Sequence, residues 1–132
     1  MNWLEYLGWN QDQLEDLRYA GYLYIRQGKY DVALSFFETL VILSHNDAYD
    51  TRTLGALYLQ KGNNIKALDL FDLSLQKDPN HLPTLLNKTK ALFSLGYYKQ
   101  AVEQAKKLKF AQDPLIQSKA EALILTHQNL IK

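Results

Sequence analysis

Three histidines, His45, His81 and His127, are the first place to look for chemistry in this 132-residue chain. A metal site needs ligands that converge, such as two histidines four residues apart on one helix or histidine in the company of cysteine. None of the three has such a neighbour, and the chain has no cysteine. The run Ser44-His45-Asn46-Asp47 carries the letters of a nucleophile, a base and an orienting acid. Adjacent residues in one turn cannot form that relay, because the base must sit between two separately held partners. Asp69 and Asp72 share a helix face as solvated charge, and no glycine-rich phosphate loop follows a strand. Lys99, Lys106, Lys107 and Lys109 cluster, yet the net charge is only +1, whereas a nucleic-acid binder is basic overall. The expectation is no enzyme activity, no metal, no cofactor and no nucleic-acid partner.

Composition narrows the class further. Hydrophobic residues make up 47% of the chain, and 3 prolines and 6 glycines leave no linker tract, so one domain over 1–132 is expected. The lack of cysteine excludes a disulfide scaffold and fits a reducing compartment. No apolar run approaches the roughly 20 residues that span a bilayer. No basic segment followed by an apolar stretch opens the chain. A cytoplasmic location without membrane insertion is expected. Charge is unevenly placed: residues 1–50 sum to −5 and residues 51–132 to +6, which suggests a partner contact or end-to-end pairing.

The elements that must position any site follow from a period. Gly21, Tyr24, Gly28, Ala33 and Phe37 return 34 residues later as Gly55, Tyr58, Gly62, Ala67 and Phe71, and Gly96 and Ala101 continue the step. A period of this length marks an array of helical hairpins. The reading is an all-α superhelix: an aromatic N-terminal helix in 1–9, repeats over 14–47, 48–81 and 82–115, and a capping helix over 114–132. Within it, helices are expected over 11–26, 30–44, 48–60, 65–77, 82–94 and 97–110, with Leu115, Leu123, Leu130 and Ile131 on the apolar face of the last. Asn10 with Gln13 spells a capping box, and Asp113 with Pro114 spells a helix start. Gly21 and Gly55 are expected where paired helices touch, with Ala33, Ala67 and Ala101 opposite.

These residues resemble the tetratricopeptide repeat, whose pattern runs Leu-Gly-x2-Tyr, then Ala-x3-Phe, then Pro. Leu54, Gly55, Tyr58, Ala67, Phe71 and Pro79 match it fully; the first repeat has His45 for the proline, and the third has Lys88 and Thr89 for Leu-Gly. A heat-shock-type carboxylate clamp is not expected, because Tyr22, Thr53 and Pro83 stand where it needs Asn, Asn and a cation. The aromatic start, Trp3-Leu4-Glu5-Tyr6-Leu7-Gly8-Trp9, the three repeats and the closing helix resemble the small chaperones of bacterial type III secretion, the chlamydial branch most of all. That resemblance implies a cytoplasmic chaperone holding the C-terminal helix of a needle subunit in its concave groove, beside a small second chaperone. A translocator chaperone, or a general scaffold between two proteins, is the alternative.

Family groove positions fall on the first helix of each hairpin. They map to Arg18, Tyr22, Ile25 and Arg26, to Tyr49, Arg52, Ala56 and Leu59, and to Leu86, Lys90 and Phe93, with Glu15, Gln60, Pro83 and Ser94 at the edges. An apolar, part-aromatic strip bordered by cations suits an amphipathic helix or extended segment. Trp3, Tyr6 and Trp9 are expected to contact a second subunit or to cap the array. The free chain is expected to dimerise to hide its groove.

Overall fold

Side chains that close helix ends set the element boundaries. Asn10 Oδ1 accepts from the Gln13 backbone N–H at 3.0 Å, and Gln13 Oε1 accepts from the Asn10 N–H at 2.8 Å. That reciprocal box starts α2, Gln11–Arg26. Asp47 caps α4, Ala48–Gln60, and Asn63 caps α5, Asn64–Lys77. Asp113 Oδ1 accepts from the backbone of Leu115 and Ile116, with Pro114 in the first turn of α8, Pro114–Thr126. The computed structural model describes residues 1–130. It adds α1 (Trp3–Leu7), α3 (Tyr30–Leu43), α6 (Leu82–Ser94), α7 (Tyr98–Leu108) and a short 3-10 turn over Gln128–Leu130. No strand occurs among the described residues.

The fold is the expected all-α stack of hairpins, α2/α3, α4/α5 and α6/α7, with α1 before them and α8 after. Within the three hairpins, helix ends differ from the sequence reading by at most two residues. The start of α5 lies at Asn64, one residue early, because Asn63 supplies the cap. The expected 97–110 helix is shorter, Tyr98–Leu108; no side chain caps its start. The expected capping helix ends at Thr126. Ile131 and the rest of 131–132 lie outside the described residues.

Small residues let the paired helices approach. A Cβ placed on Gly55 would stand 2.7 Å from Phe71 Cε1, and one on Gly21 would stand 2.8 Å from Phe37 Cε2. Phe37, Phe71, Ala33, Ala67 and Ala101 are all fully buried, so neither ring has room to retreat. Alanine gains about 1 kcal/mol over glycine in helix propensity. Overpacking a closed core costs roughly 1–3 kcal/mol. Gly55→Ala is therefore expected to destabilise on balance, and Gly55→Ala with Phe71→Leu to recover part of the loss, as read by urea midpoints.

The first repeat ends without its proline by another device. His45 and Asn46 take left-handed φ of 52° and 61°. Lys77 Nζ, at the end of α5, donates to both their carbonyls at 3.1 and 2.8 Å. The turn is thus tied to the next hairpin by a cation that satisfies two exposed acceptors.

Candidate partner-binding groove

Helices α2, α4 and α6 follow one another at a spacing of 34 residues, so positions 34 apart form columns across them. Tyr19, Thr53 and Asn87 form one such column and Tyr22, Ala56 and Lys90 another; all but Lys90 line two cavities. A cavity of about 270 Å³ is lined by Glu15, Arg18, Tyr19, Tyr22 and Tyr49. A second, of about 320 Å³, continues from Tyr22 over Ile25, Ala56, Thr53, Pro83 and Asn87. The two adjoin at Tyr22. Tyr19 is 62% exposed, Tyr22 40% and Tyr49 38%. The Arg26 guanidinium lies 6.0 Å from the centre of the Tyr22 ring, and that of Arg52 lies 5.7 Å from Tyr49. Aromatic faces with a cation above them have part of their area already organised, at low cost in side-chain freedom.

Two other columns border the cavities through Arg18, Ile25 and Arg52 and also bond or pack against neighbouring helices. Arg18 was expected at the rim. Its Nε donates to Asp50 Oδ1 at 2.6 Å and its Nη2 to Asp50 Oδ2 at 2.7 Å, across from α2 to α4, and Nη1 also pairs with Glu15. Asp50 is fully buried. The hydrogen bonds to Asp50 push the guanidinium pKa up from an already high value against the opposing effect of burial. Thirty-four residues on, Arg52 bonds Asp78 Oδ2 at 3.3 Å. Leu86, the third member, is buried with Leu108, Ile116 and Ala120 beneath α8. The last column runs Ile25, Leu59, Phe93 and His127. Ile25 and Leu59 are half-buried against the main core. Phe93 is 2% exposed, stacked on the His127 ring at 4.3 Å between centres. Leu86 and Phe93 are thus core residues and correct the sequence reading of an open strip in the third repeat. Lys90 is half-buried on α6, and Arg26 stands exposed at the end of α2.

Tyr19 and Asn87 were missed. An aromatic, a hydroxyl and an amide recur in their column with Thr53 between them, so no repeated residue type marks it.

At the N-terminus the three aromatic residues part company. Trp9 and Leu4 pack against the main core. Trp3 and Tyr6 point out, 39% and 72% exposed, with their rings edge to face at 5.8 Å. Trp9 is an end cap by this geometry, while Trp3 and Tyr6 remain a bare surface.

His81 borders the second cavity and caps α6. Its Nδ1 accepts from the Thr84 backbone N–H at 3.3 Å and lies 2.8 Å from the Thr84 hydroxyl. Burial first, then the charge of Arg52, pushes its pKa below the usual 6.5, with Asp78 opposing. The unfolded chain therefore binds the proton more readily. The stability this residue contributes is complete above pH 6.5 and falls away as pH drops through its lower folded value. His81→Asn keeps a cap acceptor and cannot titrate, so it should flatten the fall in urea midpoint between about pH 7 and pH 5.

Among the described residues, no three His, Cys, Asp or Glu side chains gather as a metal would require, and no helix is long and apolar enough to cross a membrane. What the site offers is shape, aromatic area and cations.

The sequence matches no protein-family model and no curated protein sequence. Solved structures do match. One is a crystal structure of a type III secretion complex from Aeromonas hydrophila, 22% identical, covering 96% of this chain and 86% of that one, with a TM-score of 0.79. A second is PcrH, a protein of Pseudomonas aeruginosa, in complex with the chaperone binding region of PopB. It is 26% identical and covers 88% of this chain and 98% of that one, with a TM-score of 0.77. A third is the Yersinia enterocolitica type III secretion chaperone SycD with a peptide of the translocator YopD. It is 22% identical and covers 87% and 95%, with a TM-score of 0.75. The fold is that of these tetratricopeptide-like chaperones.

Proposed function

We propose that this chain is a non-enzymatic chaperone of type III secretion that holds an apolar segment of a translocator protein against α2, α4 and α6. The observation that carries the reading is the exposed tyrosine cluster Tyr19, Tyr22 and Tyr49, lining two adjoining cavities on the face where repeat arrays take peptides. Tyrosine and arginine bury much area with few rotors or with forked donors, which makes them frequent binding anchors. Similarity over most of both chains to PcrH with a bound PopB region and to SycD with a bound YopD peptide supports a translocator as the client. Covering such a segment before export would withdraw it from aggregation by mass action, in the cytoplasm where export substrates are made.

A second reading keeps the needle subunit as client, with a small second chaperone beside it. Exposed Trp3 and Tyr6 favour it, because they offer an aromatic patch for another subunit away from the groove. Co-expression separates the two. Full-length chain is produced with a type III translocator in one culture and a needle subunit in another, and each is run on a sizing column. The proposal expects a small soluble complex with the translocator. A complex with the needle subunit alone would transfer the assignment to the second reading, and elution of the chain by itself from both would sink the chaperone reading.

A further inference from the structure

Positions 34 apart meet opposite fates in the middle and at the ends of the stack. Asp50, Thr51 and Leu54 of α4 are 0%, 0% and 5% exposed. One period earlier, on α2, Asp16 is exposed, and Leu17 and Ala20 line an open cavity of about 330 Å³ with Trp9 and Gln13. Leu57 and Ala91 are 3% and 0% exposed, while the end members of their column, Leu23 and Leu125, are 36% and 62% exposed. The first and last helices of the stack therefore each present a face that a neighbouring helix closes elsewhere.

The charges at the two ends are of opposite sign. Among the described residues, Glu15 and Asp50 pair with Arg18, Asp31 pairs with Lys61, and Glu38 accepts from Tyr58. Glu5, Asp12 and Asp16 form no ion pair there; Asp16 lines the Trp9–Ala20 cavity, and Asp12 lies one turn before it on α2. At the other end Lys106, Lys107, Lys109 and Lys119 likewise form none, and they flank Phe110 and Leu115, which are 85% and 62% exposed. Taken whole, residues 1–26 sum to −2 and residues 97–130 to +2.

We propose that the two ends are complementary and that copies of this chain associate head to tail, the acidic α2 face of one copy receiving the basic α7–α8 corner of the next. Each unfinished apolar face then gains a helix, and each set of charges gains its opposite. The contact is heterologous, so it propagates instead of closing as a symmetric dimer does.

Sedimentation velocity on the full chain tests this, from about 10 µM to about 1 mM protein and from about 20 mM to about 500 mM salt. Mass should grow past a dimer with concentration and fall back with salt. Asp12→Lys with Asp16→Lys reverses the head, and Lys107→Glu with Lys119→Glu reverses the tail. Each variant alone should associate about tenfold more weakly or worse. An equimolar mixture should regain association, because every contact then joins opposite charges, and so should one chain carrying all four changes. Circular dichroism checks that each is helical. Asp12→Asn with Asp16→Asn and Lys107→Gln with Lys119→Gln stand in for any that is not, and should weaken association in the same direction. A monomer throughout at low salt, a wild-type chain that stops at a dimer, or a mixture no stronger than its parts would overturn the proposal.

Discussion

Arg18→Ala should lower the free energy of unfolding by about 3–5 kcal/mol, because it strands a buried carboxylate. For a domain of this size that is a fall in Tm on the order of 10–20 °C. Asp50 has no exposed surface, and both its oxygens are taken by Arg18 at 2.6 and 2.7 Å. Water cannot replace the guanidinium without opening the seam between the first and second hairpins. The bidentate fork also fixes how α4 lies against α2, so Arg18→Lys should recover only part of the loss. Arg18→Met with Asp50→Leu should stand close to wild type, since removing both charges removes the desolvation penalty along with the attraction. Thermal unfolding of the four proteins decides it. If Arg18→Ala unfolds like wild type, the pair is an ornament of the seam and α2 and α4 are held by apolar contacts alone.

Phe93→Ala should cost about 3–5 kcal/mol, the usual range for emptying a buried phenyl site. The ring has 2% of its surface exposed and His127 lies flat on it, 13° from parallel. Loss of the ring removes the platform for the end of α8, so hydrogen exchange should accelerate in α6 and α8 before it does in α2 to α4. A variant as stable as wild type and still helical would return Phe93 to the groove strip where the sequence reading placed it.

The starts of α2 and α4 were legible from their capping side chains, while that of α5, capped by Asn63, was read one residue late. Asn10 with Gln13, Asp47 and Gly62 bracket α2 and α4, and both helices have the ends read from sequence. The start of α7 has no capping side chain, and there the reading ran one residue early. The groove was less legible for a geometric reason. A period of 3.6 residues says which positions share a helix face, and 34-residue spacing says which faces recur. Neither says how far each first helix is rotated toward the next. Arg18 reads as a rim cation until Asp50, 32 residues on, is known to lie buried against it. Leu86 and Phe93 read as the continuation of Arg52 and Leu59 until α8 and His127 close over them. The column that the rotation does bring inward, Tyr19/Thr53/Asn87, mixes an aromatic, a hydroxyl and an amide, and so carries no hydrophobic signature to find it by.

The central claim is that the tyrosine-lined face of α2 and α4 holds the client. Isothermal titration of a translocator's chaperone-binding segment into Tyr22→Asp with Ala56→Asp tests it most directly. Both positions border the cavities, Tyr22 exposed and Ala56 half-buried at the edge of the core. Affinity should fall about a hundredfold or more, as for a hot-spot anchor, while the circular dichroism spectrum and Tm stay those of wild type. Unchanged affinity in a protein that remains folded would place the client elsewhere and contradict the account.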